Sequence, residues 1–244
     1  MKVALLGATQ GMGRALARRF AARGDAICLM GRNEAELQRS AEDLKARGGS
    51  AVHFLTCDLG DADRFDELLA EAQERLGGLD AVVLSAAAFA SQEELESDRD
   101  RLAALLDLNF TKSILFCEAA RERLLDLGGG TLCVFSSVAG ERGRKPVVLY
   151  GATKAGLSAY LEGLDHKFRA DGLRTVCVKP GFVKTGMTAG LKPPPFAGEA
   201  DGVAKRVLRA IDRGSPVVYA PATWRWIMWV IRSLPRAIMR KISF

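Results

Sequence analysis

Tyr150 and Lys154 stand four residues apart in the stretch SSVAGERGRKPVVLYGATK, and Ser137 precedes the tyrosine by thirteen residues. On a helix, positions i and i+4 share a face. An ammonium beside a phenol stabilises the phenolate and so lowers the tyrosine pKa from its free value of about 10. A phenol tuned in this way serves as a general acid near neutral pH. A hydroxyl on an adjacent loop, here Ser137, can hydrogen-bond a carbonyl oxygen as that oxygen gathers negative charge. The Tyr-x-x-x-Lys pattern is short, and an amphipathic surface helix with a solvated lysine carries it by chance. The chemistry therefore needs support from the rest of the chain.

That support begins at the N-terminus. Lys2–Leu6 is a short apolar run, consistent with a buried parallel strand. It passes into a turn containing Gly7, Thr9, Gln10, Gly11, Met12 and Gly13, and a helix-like segment follows over residues 14–23. In a dinucleotide site Gly7 allows the tight turn, Gly11 lets the backbone approach a pyrophosphate, and Gly13 lets the helix pack close. Thr9, Gln10 and Met12, between the glycines, are expected to line the same cofactor. Free N–H groups at the helix start favour its phosphates.

The second strand is expected over residues 26–30. A site selecting NAD would place an acid at its end, on the ribose 2′-hydroxyl. Gly31, Arg32 and Asn33 stand there instead. An arginine can pair with a 2′-phosphate bidentately, so NADP(H) is favoured over NAD(H). The plain alternative is a solvated arginine opening the next helix, residues 34–47.

Ala51–Thr56 reads as the third strand, followed by Asp58 and Leu59. Asp58 either reaches the adenine amino group or caps the helix over residues 61–76. Asp61 is the better cap, which leaves Asp58 and Leu59 to the cofactor. Ala81–Leu84 is the fourth strand, and small residues including Ser85 and Ala86 after it would let a nucleotide approach the backbone. Residues 91–100 read as an acidic loop and 101–127 as one helix. Asn109 lies inside that helix among apolar neighbours, and a buried amide needs partners. A backbone carbonyl can satisfy it, and it can hold a water that links Lys154 to solvent; neither reading excludes the other.

Further strands are expected over residues 131–135, 173–179 and 217–219, with helices over 147–170 and 199–212. Residues 182–198 form a long loop with three consecutive prolines, Pro193 to Pro195, and loops of that length tend to be lids or disordered. Strands alternating with helices imply an α/β, doubly wound parallel sheet of about seven strands. Its site should lie at the strand C-terminal ends.

Composition narrows the function classes. At 244 residues, with 48% apolar and no low-complexity tract, the chain is long enough for one domain with a substantial core. Cys28, Cys57, Cys117, Cys133 and Cys177 form no C-x-x-C pair and read as buried apolar residues in a reducing compartment. His53 and His166 have no ligand-like companions, so no metal is expected. The first residues pass directly from a short apolar run into the glycine turn, which favours a first strand over a signal peptide and a cytoplasmic protein. The net charge is +6, and Arg213, Arg225, Arg232, Arg236, Arg240 and Lys241, all after the last acid, account for it. A basic face that reads nucleic acid belongs on the folded body, so no nucleic-acid partner is expected.

Together these residues resemble a classical short-chain dehydrogenase/reductase over residues 2–220. The resemblance rests on Gly7, Gly11, Gly13, Asp58, Asn109, Ser137, Tyr150, Lys154, Pro180, Gly181 and Thr185. It implies a Rossmann fold and hydride transfer between a nicotinamide and a carbonyl or alcohol. Tyr150 would then donate the proton, and Lys154 would hold the nicotinamide ribose. Ser137 would orient the substrate oxygen, and Asn109 would maintain a proton relay. Pro180, Gly181, Phe182, Val183 and Thr185 would line the nicotinamide side. Leu6 stands where the family usually has threonine, and Ser85 to Ala88 replace its usual Asn-Asn-Ala-Gly.

Residues 136–244 are similar to the decaprenylphosphoryl-2-keto-ribose reductases of cell-wall arabinose synthesis, in SSVAGERGRKPVVLYGATKAGL, KPGFVKTGMTAGLK and the ending YAPATWRWIMWVIRSLPRAIMRK. This similarity implies a keto-sugar substrate on a polyprenyl phosphate, reduced at the inner membrane face. Of Arg142, Arg144 and Lys145, between Ser137 and Tyr150, at least one would contact an anionic group of the substrate such as a phosphate; the plain alternative is a solvated surface loop. The amphipathic tail, residues 221–244, would lie on the membrane surface from Trp224 onward. A helical wheel puts Trp224, Ile227, Met228 and Ile231 on one apolar face, with Arg225 and Arg232 opposite. Alternatively the tail packs on the body or on another subunit of a homo-oligomer, and the enzyme reduces a small soluble ketone or aldehyde. A non-catalytic cofactor-binding scaffold would not require the Asn109, Ser137, Tyr150 and Lys154 set.

Overall fold

The computed structural model describes residues 1–190, 192–194 and 196–242. Leu191 and Pro195 of the long loop, and Ser243 and Phe244 of the tail, lie outside the described residues. In chain order the strands are β1 (Lys2–Leu6), β2 (Ala26–Gly31), β3 (Ala51–Thr56), β4 (Ala81–Leu84), β5 (Gly130–Phe135), β6 (Leu173–Pro180), the two-residue β7 (Val183–Lys184) and β8 (Gly198–Glu199), and β9 (Val217–Ala220). The helices are α1 (Gly11–Ala22), α2 (Glu34–Ala46), α3 (Phe65–Leu76), α4 (Gln92–Ser97), α5 (Arg99–Leu106), α6 (Ser113–Asp126), α7 (Val148–Phe168), α8 (Ala200–Arg213), α9 (Thr223–Ser233) and α10 (Arg236–Met239).

Seven strands form one parallel sheet in the order β3-β2-β1-β4-β5-β6-β9. Their near-continuous apolar runs suit a sheet covered on both faces. Val3 and Leu5 of β1 face the layer that holds Leu16, Phe20, Leu37, Leu44 and Val207. Ala4 and Leu6 face the other layer, with Phe65, Leu69, Phe116, Leu157 and Leu161. The strand order reverses between β1 and β4, which places a crevice at their C-terminal ends. Register brings Gly7, Arg32 and Ser85 to that edge, because Leu6 pairs with both Met30 and Leu84. All five cysteines are buried and free, as their apolar surroundings suggested.

Several segments differ from their sequence reading. Residues 91–100 are not a loop. Ser91 and Glu94 form a reciprocal capping box that starts α4, and Asp98 caps α5. The single helix expected over residues 101–127 is instead α5, a π-helical turn at Asp107–Lys112, and α6. Asp61 makes no side-chain cap, and a 3-10 turn (Ala62–Arg64) precedes α3. The Asp58 carboxylate accepts the Gly60 N–H at 2.9 Å instead, so Asp58 is spent partly on its own turn. The loop over residues 182–198 folds back on itself through the β7–β8 pair.

The tail also departs from the wheel. The face carrying Trp224, Ile227, Met228 and Ile231 does not point to solvent. It packs against Val138, Tyr219 and Met239. The apolar residues left outside are Trp226, Trp229 and Val230, exposed by 68%, 67% and 51%. No helix among the described residues is long and apolar enough to cross a membrane.

Candidate active site

The glycine turn is a cradle that side chains would fill. A Cβ on Gly13 would lie 2.2 Å from the Gly7 carbonyl oxygen and 2.4 Å from Ser85 Oγ. A Cβ on Gly7 would lie 2.4 Å from the Ala86 nitrogen, and Gly7 holds φ at +92°. The turn after β1 is thus pressed onto the loop after β4, with α1 directly behind it. Ser85 tightens this contact, its hydroxyl lying 3.1 Å from the Leu6 carbonyl and 3.0 Å from the Gly7 carbonyl. Gly11 starts α1, and Thr185 sits over it. The open helix start leaves N–H donors without intrahelical partners. Arg14 adds a buried Nε without a hydrogen-bond partner one residue past Gly13.

A nicotinamide dinucleotide fits this cradle, whose shape excludes side chains and whose edge offers donors. Thr9, Gln10 and Met12 lie on the same turn. Arg32 lines an open groove of about 800 Å³ with Asn33, Glu34, Ala35 and Gln38. Asn33 is occupied as the cap of α2, accepting from the Glu36 N–H, while Arg32 is exposed. Leu59 and Val183 are 4% and 3% exposed and pack into the two core layers. Their side chains cannot line the cofactor, and only their backbones are left to do so.

Ser137, Tyr150 and Lys154 converge. Ser137 ends the β5 edge and accepts the Ala139 N–H at 3.1 Å. It is also the one side chain that draws the Tyr150 pKa back down. Phe89 packs edge-on to the Tyr150 ring at 5.2 Å. Lys154 is 2% exposed and donates to the Phe135 carbonyl at 3.0 Å. Its Nζ lies 5.7 Å from the Tyr150 ring centroid. Burial pulls the Lys154 ammonium down to about 8, opposed by Cys177 and Cys117. Burial also pushes the Tyr150 phenol up to about 12, opposed by Ser137. The expected lowering of the tyrosine pKa by the lysine is therefore not what this geometry produces. The ammonium is turned to a backbone carbonyl, and desolvation of the phenolate dominates. A phenol held protonated remains a proton donor.

Three contacts fix α7 against this edge. The 3-10 turn at Val138–Gly140 lies on the helix backbone, and a Cβ on Gly140 would come within 2.5 Å of the Lys154 carbonyl carbon. Ser136 Oγ donates to the Lys154 carbonyl at 2.9 Å. Gln92 of α4 accepts the Leu149 N–H at 3.2 Å, one residue before Tyr150. Gln92 was missed in the sequence because its segment reads as a solvated loop. Its only signal was the Ser91–Glu94 capping spacing.

Asn109 is fully buried in the π-helical turn. Its Oδ1 accepts the Ala88 N–H and its Nδ2 donates to the Ala88 carbonyl, both at 2.8 Å. The backbone-satisfied reading is realised, and the side chain holds the loop after β4 in place. Pro180 and Gly181 emerge beside Ser137, whose hydroxyl is 3.5 Å from the Pro180 carbonyl. The Trp224 indole lies directly on Gly181, where a Cβ would meet Nε1 at 2.0 Å. The tail thus forms a wall of the site. Arg142 donates to the Leu234 carbonyl at 2.7 Å, tying the Ser137–Tyr150 loop to that tail. Beside Arg142, the carboxylate of Glu141 accepts from Lys179 at 2.7 Å and from Tyr219 at 2.6 Å. Arg144 and Lys145 face the same cavity as Arg142.

Comparison with known proteins gives the family. The short chain dehydrogenase family profile matches residues 2–195. An uncharacterized oxidoreductase of Mycobacterium tuberculosis is 32% identical over 240 residues, 98% of this chain and 96% of its own. An uncharacterized oxidoreductase of Myxococcus xanthus is also 32% identical, over 88% of this chain and 85% of its own. Among solved structures, a short-chain type dehydrogenase/reductase from Mycobacterium ulcerans superposes with a TM-score of 0.81 at 20% identity, covering 89% of this chain and 86% of its own. Fold, cofactor cradle and the Ser137–Tyr150–Lys154 cluster have one common reading: the chain belongs to the short-chain dehydrogenases and is an oxidoreductase of that family.

Proposed function

We propose that the protein is an NADPH-dependent reductase of a carbonyl on a lipid-linked substrate, a keto-sugar on a polyprenyl phosphate, working at a membrane surface. The observation that carries the chemistry is the convergence of Ser137, Tyr150 and Lys154, with the Lys154 ammonium buried behind the Tyr150 ring. The nicotinamide, when bound, supplies the hydride to the carbonyl carbon. Tyr150 gives its proton to the carbonyl oxygen, and Ser137 hydrogen-bonds that oxygen as its charge grows. Lys154 keeps a buried cation behind the Tyr150 ring, held by the Phe135 carbonyl.

The NADPH preference is supported by the exposed Arg32 at the groove past β2, where no acid stands to select the ribose hydroxyl. The membrane reading is supported by Trp226, Trp229 and Val230, which project from α9 beside Arg225 and Arg232. A second reading, a soluble reductase of a small ketone or aldehyde, draws on the packing of Met228 and Ile231 against Val138. NADPH oxidation by the wild-type protein separates them. One assay offers soluble ketones and aldehydes, and the other a lipid-linked keto-sugar in anionic vesicles. Turnover favouring the vesicle-borne substrate is the expected result. Equal or better turnover of small soluble carbonyls overturns the lipid reading, and no turnover of any carbonyl overturns the reductase reading.

A further inference from the structure

A buried carboxylate stands just past Ser137 and takes no part in the proton transfer described above. Glu141 closes the 3-10 turn at Val138–Gly140, donating its N–H to the Val138 carbonyl at 3.2 Å. Ser137 holds the other end of that turn. Its carbonyl accepts the Gly140 N–H and its hydroxyl accepts the Ala139 N–H, both at 3.1 Å. The Glu141 side chain is 3% exposed, and its Oε1 accepts from Lys179 Nζ at 2.7 Å and from the Tyr219 hydroxyl at 2.6 Å. These two partners are neighbours in the sheet, Lys179 of β6 pairing in register with Tyr219 of β9. The exposed Arg232 of α9 approaches the same oxygen to 4.0 Å.

Taking a carboxylate and an ammonium out of water costs more than their attraction returns unless both are fully satisfied, and apolar residues of the same size often serve stability better. Glu141 Oε2 is buried with no hydrogen-bond partner among the described residues, so stability alone does not account for the group. What the contacts do is fix geometry. They tie the turn after β5 to the last residues of β6, and Lys179 adjoins Pro180, whose carbonyl lies 3.5 Å from the Ser137 hydroxyl. Tyr219 brings in β9 and packs with Val138, Met228 and Ile231. Two hydrogen bonds to one oxygen hold it more narrowly than apolar contact does, because both distance and angle are restricted. We infer that Glu141 is a positioning residue for Ser137: by drawing Lys179 and Tyr219 onto the turn, it sets where the serine hydroxyl stands relative to Tyr150 and the Pro180 carbonyl. That this hydroxyl meets a reacting carbonyl oxygen rests on the reductase reading given above.

The test uses the full chain with Glu141→Gln, which keeps the size of the side chain and removes its charge. With NADPH and the best carbonyl substrate of the wild type, kcat should fall by ~10- to 100-fold, the range that a misplacement of about 1 Å produces. The NADPH dissociation constant should stay near that of the wild type, because the cradle after β1 lies on other strands of the sheet. In a Ser137→Ala background the same substitution should change kcat by less than about twofold more, since a residue that acts through Ser137 has nothing left to position. An equal loss in both backgrounds, or an unchanged kcat in Glu141→Gln, overturns the assignment. Where melting shows Glu141→Gln to be unfolded, Tyr219→Phe replaces it. That variant keeps the ring, removes one of the two donors, and should show the same dependence on Ser137. Hydrogen exchange reads the turn without turnover. The Ala139 and Gly140 amides, both donated to Ser137, should exchange about tenfold or more faster in the variant while the α1 amides keep their protection. Acceleration throughout the fold, or none at these two amides, overturns the clamp. A wild type that reduces no carbonyl overturns the reductase reading, and exchange at the two amides then decides by itself whether Glu141 holds Ser137.

Discussion

Lys154 carries a titratable charge with almost no access to water, held by the Phe135 carbonyl and buried behind Tyr150. A lysine is cationic below its pKa and neutral above it, and burial has brought this one from 10.5 to about 8. Its contribution to the site is therefore present below that value and lost as pH rises through it. Tyr150, pushed up to about 12, remains protonated across the same range and cannot cause the change. The pH profile of kcat/KM for carbonyl reduction should fall on the alkaline side with a midpoint near 8. Lys154→Arg, which keeps its charge, should move that limb upward. A wild-type profile flat through this region would count against the role given to the lysine. Arg32 makes a second prediction at this scale. Arg32→Ala should weaken NADPH binding by roughly 10- to 100-fold, the worth of a charged hydrogen bond of about 1.5–3 kcal/mol, and leave NADH binding unchanged. Fluorescence titration of both cofactors measures this, and an unaltered ratio would refute the NADPH preference.

At the scale of elements, the site depends on how closely α7 lies against the turn after Ser137. Gly140 permits that approach, since any Cβ there would overlap the backbone at Lys154 and Ala155. Gly140→Ala should force the two apart at a cost of about 1–3 kcal/mol. Thermal melting should show the loss, and kcat should fall while NADPH affinity stays near wild type, because the cradle at Gly7 and Gly13 is untouched. Unchanged kcat and melting would show that the contact is not critical. The strands were legible in the sequence because a parallel sheet buried on both faces needs continuous apolar runs, and β1, β2 and β4 are such runs. The glycine turn was legible because each glycine has a steric reason visible in its spacing. The α4 and α5 helices were not, because Glu93, Glu94, Asp98 and Asp100 read as solvated charge although Glu94 and Asp98 serve as caps. The π-helical turn at Asn109 adds one residue to the helical ring and barely disturbs the apolar period. Lys154 turns to Phe135 because β5 ends beneath α7, a contact between distant segments that no local spacing encodes. The wheel of α9 has two apolar arcs, and only the presence of Val138 and Tyr219 decides which one is buried.

For the whole molecule, α9 and its basic neighbours are the feature that sets this chain apart from its catalytic core. Two tryptophans stand about two-thirds exposed on a tail that carries five of the six excess positive charges. Such residues contribute little to folding, but they suit a headgroup boundary. The wild type should sediment with anionic vesicles, and salt should weaken this, since each basic residue near such a surface is worth about 1 kcal/mol. Trp226→Ala/Trp229→Ala should reduce sedimentation without lowering the melting temperature. Equal sedimentation of the two proteins would favour the soluble reading.

The claim on which the rest depends is that Tyr150 hands its proton to a substrate carbonyl. Tyr150→Phe removes the phenolic hydroxyl and keeps the ring that packs against Phe89. The decisive measurement is the rate of NADPH oxidation by this variant beside the wild type, on the best carbonyl substrate found for the latter, together with the NADPH dissociation constant of each. The rate should fall by ~10²–10⁴-fold, the usual worth of a positioned proton donor, while cofactor affinity stays close to that of the wild type. A variant that still turns over at more than a few tenths of the wild-type rate would contradict the account.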